Sequence, residues 1–293
     1  MKKRDDMPIV ALIYDFDGTL SPGNMQEYSF IEAIGENKEE FWAETSQMAQ
    51  EQDSDNILVY MLAMLQKAKE RHISIRKESF QKFGESVELF KGVETWFKRI
   101  KEYGLKKGVI IEHYINSSGM KEIIQGTKIA NEFETIFACS YYYDSNGDAM
   151  WPAAAVNYTN KTQFLFKISK GIDSIHDSVI INSSMPEDEK RVHFTNMIYF
   201  GDGETDVPCM KLIKQLGGTS IAVYEPNNEK KENSAQKLFN QQRVNYYCSA
   251  DYSKGKELES LVQNIINKIK ADEDLNTIKK QMRAKYLNKS DER

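Results

Sequence analysis

Short uncharged runs alternate along the chain with amphipathic stretches, and this alternation predicts an α/β protein. The segment from Ile9 to Tyr14 carries no charge, and Met197 to Phe200 form a second apolar run. Such runs are typical of strands that are covered on both faces in a parallel sheet. Further strands are predicted at residues 108–117, 135–140, 220–224 and 244–248. Because strands and helices alternate from residue 93 to residue 250, we expect a doubly wound parallel sheet with helices on both faces.

The pattern changes between residues 26 and 89, where apolar residues recur at helical spacing and proline is absent. Polar breaks near Gly35 and Asp53 divide this segment into several helices, and Lys91-Gly92-Val93 return the chain to the sheet. The segment therefore predicts a helical insertion. Its apolar stripes are Tyr28/Ile31/Ala33/Ile34, Ile57/Tyr60/Met61/Met64/Leu65 and Phe80/Phe83/Val87.

Two further elements follow from local patterns. A turn at Ser145 to Asp148 between aromatic-rich segments predicts a β-hairpin. Near the end of the chain, one apolar face predicts an amphipathic helix that docks on the core. Beyond Ala271 the residues are mostly charged and polar, which predicts a solvated tail. The apolar face of the helix consists of Leu258, Leu261, Val262, Ile265, Ile266 and Ile269.

Composition narrows the class of protein. The chain has 293 residues, of which 40% are hydrophobic and 28% charged, enough for one large domain and a smaller one. A net charge of −5 argues against a nucleic-acid groove. No run approaches the ~20 apolar residues of a membrane span, and the amino terminus has no secretory signal. Cys139, Cys209 and Cys248 form no metal or disulfide pattern, which fits a reducing compartment. Taken together, the charge, the hydropathy and the cysteines predict a cytoplasmic protein that binds neither membranes nor nucleic acid.

Acidic residues follow both apolar runs described first. Asp15 and Asp17 leave the end of the first run, and side chains two residues apart on an extended segment point the same way. Both carboxylates can therefore face one pocket beyond the sheet, with Gly18 allowing a sharp turn. Taken alone, this segment also fits a strand followed by a solvated acidic turn.

The second apolar run is also followed by two acidic residues, and the two acidic pairs together indicate a metal site. Asp202 and Asp206 follow this run, with Asp206 placed where a helix can begin. Carboxylates clustered at strand ends would repel one another unless a cation lay among them. Oxygen ligands of this kind suit Mg²⁺, so the sequence predicts a magnesium site.

The acidic segments resemble motifs of a known family. DFDGTL at 15–20 and GDGETD at 201–206 resemble the first and fourth motifs of the haloacid dehalogenase (HAD) superfamily, in its phosphatase branch. The resemblance implies a Rossmann-like core and two intervening motifs. Ser117, before a helix expected from Met120, fits the second, although Ser117 and Ser118 also suit a helix cap. Lys161 fits the third, with Lys167 and Lys170 as alternatives, and the polar stretch at 182–187 is interpreted as an inserted loop.

The resemblance also implies a mechanism for phosphomonoester hydrolysis. Asp15 would attack phosphorus to form an aspartyl-phosphate, and Asp17 would protonate the leaving alkoxide and then activate water. Ser117 would bind a phosphoryl oxygen, and Lys161 would neutralise charge. Mg²⁺ would be held by Asp15, the backbone carbonyl of Asp17 and Asp202, with Asp206 orienting the metal ligands or Lys161.

The helical insertion then corresponds to a cap. The predicted division is a core at residues 1–22 and 91–270, a cap at 23–90 and a polar tail at 271–293. A cap would close over the substrate and exclude water, whereas a plain helical domain would do neither. Gln26 and Tyr28, nearest in sequence to the acidic motif, are the candidates for contact with the substrate.

We therefore predict a magnesium-dependent hydrolase of a small phosphorylated metabolite. A phosphotransferase or mutase on the same fold, or a non-catalytic scaffold, are the alternatives. A hydrolytic dehalogenase would need neither Asp17 nor Asp202. His113 and Cys209 are expected to pack in the core rather than to react.

Overall fold

The structure, a computed structural model, describes residues 7–290. Within this range the chain forms seven strands: β1 (Ile9–Tyr14), β2 (Ile110–Met120), β3 (Thr135–Tyr143), β4 (Ala149–Ala154), β5 (Met197–Gly201), β6 (Thr219–Tyr224) and β7 (Tyr246–Ser249). They form one sheet in the order β4-β3-β2-β1-β5-β6-β7. Neighbouring strands run parallel except β3 and β4, which pair antiparallel as the predicted hairpin. The predicted α/β class is confirmed.

Helices connect the strands and cover the sheet. The helices are α1 (Phe30–Ala33), α2 (Lys38–Glu51), α3 (Asn56–Glu70), α4 (Lys77–Gly84), α5 (Val93–Lys107), α6 (Lys121–Gly126), α7 (Lys161–Lys170), α8 (Ser178–Asn182), α9 (Val207–Gln215), α10 (Glu229–Asn240) and α11 (Glu257–Ser290). Helix α5 contacts α11, and α7 contacts α9. Right-handed crossovers place these two pairs on opposite faces of the sheet. Between residues 7 and 290, no helix is both long enough and apolar enough to cross a membrane.

Strand β1 lies at the centre of the sheet, where its uncharged residues are covered on both sides. It pairs with β2 on one side and β5 on the other, and Val10 to Tyr14 are fully buried. The Tyr14 hydroxyl accepts a hydrogen bond from Trp96 Nε1 (2.9 Å) and lies 3.1 Å from His113 Nδ1. Burial lowers the pKa of His113 to about 3, so its ring is neutral. His113 therefore packs in the core, as predicted.

Several elements, among them β2 and α11, extend further than the sequence predicted. Strand β2 continues past Ser117 to Met120, with a shift of register against β3, so α6 begins at Lys121 instead of Met120. Helix α11 docks through its predicted apolar face and then continues to Ser290 through residues that are mostly exposed. The predicted polar tail is thus helical to Ser290, and its residues 291–293 lie outside the described range.

Candidate active site

The acidic residues of both motifs meet at one edge of the sheet. Because β1 and β5 are adjacent and parallel, Asp15 and Asp202 follow neighbouring strand ends. Asp15, Asp202 and Asp206 each place a carboxylate oxygen so that all three oxygens lie within 4.8 Å of one another. The Asp15 carboxylate is fixed by its Oδ1 atom, which accepts a hydrogen bond of 2.8 Å from the Phe16 amide. Its Oδ2 atom is left to face the other charged groups.

Lys161 lies among these carboxylates. It is the first residue of α7, its side chain is fully buried, and its Nζ atom lies 3.2 Å from Asp15 Oδ2 and 2.8 Å from Asp206 Oδ1. The Tyr199 hydroxyl donates to the same Asp206 oxygen at 2.8 Å, and Asn116 Nδ2 donates to the Lys161 carbonyl at 3.1 Å. The start of α7 is thereby tied to β2 and β5.

The two alternative lysines lie elsewhere and bind backbone carbonyls between residues 174 and 183, a segment that reaches the predicted inserted loop (182–187) only at Ser183. Lys167 Nζ donates to the carbonyls of Ser174, Ile175 and Asp177. Lys170 Nζ donates to the carbonyls of Ile180, Ile181 and Ser183. Of the three candidates, Lys161 is therefore the one that contacts the acidic residues.

Asp17, Ser117 and Ser118 line the cavity beside these charges. Asp17 Oδ1 accepts a hydrogen bond of 2.9 Å from the Met25 amide, and Ser117 Oγ accepts one of 3.0 Å from the Gly119 amide. Ser118 Oγ is buried and has no partner among residues 7–290. Hydroxyl groups on this wall are thus available to an oxygen-rich ligand.

Burial and mutual repulsion control the protonation of the site. Burial, with the neighbouring Asp206 charge, raises the pKa of Asp15 to about 7 despite the attraction of Lys161. Burial and the Asp15 charge hold the pKa of Asp17 well above its usual range. Burial alone would lower the pKa of Lys161, but Asp15 and Asp206 outweigh it and keep the ammonium protonated. The carboxylates are therefore incompletely neutralised by the protein itself.

The acidic residues fit a divalent cation. Burial raises the pKa of Asp202, and Asp206 Oδ2 is buried with no hydrogen-bond partner in the described part of the chain. An orphaned carboxylate oxygen is costly in a protein interior unless a cation or water satisfies it. Clustered carboxylate oxygens are the ligands that Mg²⁺ takes. The donor set present at this edge of the sheet therefore suits Mg²⁺.

Gly18 allows Asp202 to approach the loop after β1. Its φ angle is +72°, and a Cβ atom there would lie 2.3 Å from Asp202 Oδ2. Any side chain would strain the backbone and displace this carboxylate. The glycine thus permits both the sharp turn and the packing of the two acidic motifs.

A cavity of about 500 Å³ opens from the acidic residues and is walled on its far side by the helical insertion. Gln26 is buried there and lines the cavity, and its contact with the substrate stays a prediction. Tyr28 does not line it; instead its hydroxyl accepts hydrogen bonds from Ser21 Oγ (3.1 Å) and the Gly23 amide (3.0 Å). The wall supplied by residues 23–60 consists of Gly23, Asn24, Gln26, Glu27, Trp42, Thr45, Ser46, Asn56, Ile57 and Tyr60.

Three residues of the site were not predicted from the sequence. Tyr199 belongs to the apolar run of β5, and Asn116 directly precedes Ser117. Their closeness in sequence to motif residues is the feature from which a place in the site could have been predicted. Lys231 forms an ion pair of 2.8 Å with Asp202 Oδ2. It lies in a run of four charged residues, 229–232, whose pattern does not indicate which one faces the cavity.

Asp15→Asn is expected to stabilise the metal-free protein by an amount that grows with pH. Since the pKa of Asp15 is raised from 3.8 to about 7 by folding, its ionisation costs stability as pH rises through this window. Asn has no proton to lose, so the gain reaches at most about 4 kcal/mol above pH 7. Lys161 keeps Asp206 as a partner in the variant.

Urea unfolding in chelator, between about pH 5 and about pH 8, measures this difference. Asp188→Asn is the matched control because Asp188 is exposed. A difference between Asp15→Asn and the unsubstituted protein that stays constant with pH would contradict the raised pKa.

The chain is similar to several known proteins. The profile of a family described as Putative Phosphatase matches residues 10–266. An uncharacterized protein of Borreliella burgdorferi is 29% identical over 293 residues, covering 91% of this chain and 99% of that protein. A HAD-family hydrolase from Salmonella enterica serovar Typhi has a TM-score of 0.54 at 17% identity, over 86% of this chain and 74% of that one. A substrate-bound phosphoserine phosphatase has a TM-score of 0.53 at 15% identity, over 88% and 99%.

Proposed function

Since the chain belongs to the putative phosphatase family and has the fold of HAD-family hydrolases, we propose that it is a magnesium-dependent phosphomonoester hydrolase. Its substrate is a small phosphorylated metabolite. The observation that supports this most is the group of Asp15, Asp202, Asp206 and Lys161 at the floor of a cavity of about 500 Å³. Phosphoryl transfer needs a positioned nucleophile, cationic groups and an acid, and this group of residues offers them together.

In the proposed first step, an Asp15 oxygen attacks phosphorus and the ester P–O bond breaks. The product is an aspartyl-phosphate and an alkoxide, which takes the proton of Asp17. The raised pKa of Asp17, caused first by burial and then by the Asp15 charge, supports this role because it favours the protonated acid. In the second step Asp17 accepts a proton from water as the water attacks the intermediate, so inorganic phosphate leaves and Asp15 is restored.

Charge on the transferring group would be met by Lys161, which lies buried behind the carboxylates, and by a serine on the cavity wall. Lys161 faces the Asp15 oxygen that would carry the phosphoryl group, and Ser117 Oγ lies on the adjoining wall. When bound, Mg²⁺ would neutralise phosphate charge and orient the phosphoryl group. Asp15, the backbone carbonyl of Asp17 and Asp202 are the proposed ligands. Asp206 fixes Lys161 and offers a further carboxylate oxygen toward the same point.

We also propose that residues 23–90 act as a cap on a core formed by residues 1–22 and 91–270. Support comes from the cavity itself, whose floor is the acidic edge of the sheet and whose far wall is the helical insertion. A substrate bound to Asp15 would have its organic part against Gln26, Trp42 and Tyr60. These side chains would decide which ester is preferred, because phosphate itself is common to all candidates.

Gln26→Met is expected to change the preferred ester by roughly tenfold in relative kcat/KM, while leaving a small aryl phosphate nearly unaffected. The substitution keeps the length of the side chain but removes its amide, whose Oε1 atom is buried and has no hydrogen-bond partner in the described part of the chain. An aryl phosphate needs only the core residues and serves as the internal reference. Gln47→Met is the matched control, since Gln47 is exposed on α2 and does not line the cavity. Equal effects of Gln26→Met on every ester would contradict the cap proposal.

Phosphate release from a panel of esters tests the proposed function. The panel contains amino-acid, sugar and nucleotide phosphates and an activated aryl phosphate, assayed with Mg²⁺ and with or without an acceptor alcohol. Release of phosphate to water supports a hydrolase, whereas phosphorylation of the acceptor identifies a phosphotransferase. Failure of the folded protein to act on every member, including the aryl phosphate, would leave only the non-catalytic alternative.

A further inference from the structure

Lys231 reaches the candidate active site from the connection that follows β6. It lies in the first turn of α10, and its Nζ atom is 2.8 Å from Asp202 Oδ2. The Lys231 side chain is 47% exposed, whereas that of Asp202 is 13% exposed. Among the described residues that line the cavity, Lys231 is the one cation, because Lys161 lies buried behind the carboxylates. The proposed mechanism assigns no role to Lys231.

The surroundings of Lys231 keep it in this position. Asn228 Oδ1 accepts a hydrogen bond of 3.2 Å from the Lys231 amide, and Asn228 Nδ2 donates to Glu225 Oε2 at 2.7 Å. The Asp202 carboxylate lies close to Gly18, where a Cβ atom would be only 2.3 Å from Asp202 Oδ2. The Asp202 carboxylate is therefore close to both Gly18, in the loop after β1, and the ammonium of Lys231. Asp202 therefore takes part both in this ion pair and in the acidic group that is proposed to hold the metal.

We propose that Lys231 is a positioning residue that sets the balance between the two ions of the site, weakening the binding of the divalent cation and strengthening the binding of phosphate. The inference rests on the proposed function, since it assumes that Asp202 is a metal ligand. A fixed positive charge beside the metal ligands opposes a second cation and attracts an anion. The same ion pair holds the Asp202 carboxylate in place while the metal is absent.

The two electrostatic effects have opposite signs, and this separates the proposal from a merely structural role. If Lys231 only held Asp202 in place, its loss would weaken the binding of both ions. If its charge acts as proposed, its loss tightens Mg²⁺ binding and weakens phosphate binding. For a half-exposed charge at this range, we expect roughly a threefold to tenfold change in each dissociation constant.

Calorimetric titration of the full chain tests the inference without relying on turnover. Lys231→Met and Lys231→Gln are titrated with Mg²⁺ alone, and then with inorganic phosphate at saturating Mg²⁺. The expected result is a lower Kd for Mg²⁺ and a higher Kd for phosphate in both variants, with both shifts reduced at high salt. Lys231→Arg should keep both constants near those of the unsubstituted protein, since it retains the charge.

Lys230→Met is the matched control, because it removes the neighbouring positive charge from an exposed residue that does not line the cavity. Weaker binding of both ions by Lys231→Met, or the same shifts in Lys230→Met, would overturn the inference. So would unchanged constants in Lys231→Met and Lys231→Gln while the unsubstituted protein binds both ions, an outcome that leaves the proposed function standing. If the unsubstituted protein bound neither ion, both the proposed function and this inference would fail.

Discussion

Asp15→Asn is expected to abolish turnover, by roughly 10⁴-fold or more, while the protein remains folded. The amide nearly matches the carboxylate in shape but lacks the anionic oxygen that would attack phosphorus. Because Lys161 keeps its 2.8 Å ion pair with Asp206, the start of α7 should stay in place. Steady-state release of phosphate from an aryl phosphate measures the loss, and circular dichroism checks the fold. Substantial hydrolysis by the folded variant would exclude Asp15 as the nucleophile.

Asp17→Asn provides the contrast, since it removes an acid rather than the nucleophile. Its activity should fall by roughly 10² to 10⁴ with an alkyl phosphate, whose leaving group needs a proton. An activated aryl phosphate has a better leaving group and should restore part of the activity to Asp17→Asn but not to Asp15→Asn. Equal recovery in both variants would count against Asp17 as the acid.

Removal of divalent metal is expected to stop the reaction, and Mg²⁺ is expected to restore it. Three carboxylate oxygens, from Asp15, Asp202 and Asp206, lie within 4.8 Å of one another. Among the described residues within hydrogen-bonding distance, only Lys161 and Lys231 carry positive charge that balances them. Ca²⁺ should substitute poorly, because its larger and looser coordination would misplace the phosphoryl group relative to Asp15. Activity is measured after dialysis against chelator and again after each metal is added.

Asp202→Ala should reproduce the effect of the chelator, with activity lost at Mg²⁺ concentrations that saturate the unsubstituted protein. Asp188→Ala is the control, since it removes an exposed carboxylate outside the cavity. Full activity in excess chelator after dialysis would give the acidic cluster a role other than metal binding.

The sheet could be predicted from the sequence because its central strands bury both faces. The uncharged residues 9–14 and 197–200 leave little choice but buried strands, and their order with the helices gives the parallel topology. The acidic residues follow from the same argument, since parallel strands place their carboxyl ends at one edge. Their roles as nucleophile, acid and ligands remain predictions, which the variants above are designed to test.

Charged residues on helices were harder to place. Lys161, Lys167 and Lys170 occupy one short helix, and only tertiary contacts distinguish the lysine beside Asp15 from two that bind loop carbonyls. Lys231 has three charged neighbours in sequence, so the local sequence does not predict which of the four residues pairs with Asp202. Helix α11 was underestimated for a related reason: past Ile269 its core-facing apolar stripe ends, although its residues still favour a helix.

The central place of β1 in the sheet has a consequence for how the protein is made. Ile9 pairs with Ile110 on one side, and Ala11 pairs with Met197 on the other. Strand β1, which Asp15 follows, is synthesised before both of its neighbours, and β5 is synthesised much later than β2. Contacts so distant in sequence close slowly, because the intervening chain must be ordered first. A nascent chain that ends before residue 202 lacks both Asp202 and Asp206, so the acidic group is complete only after both have been translated.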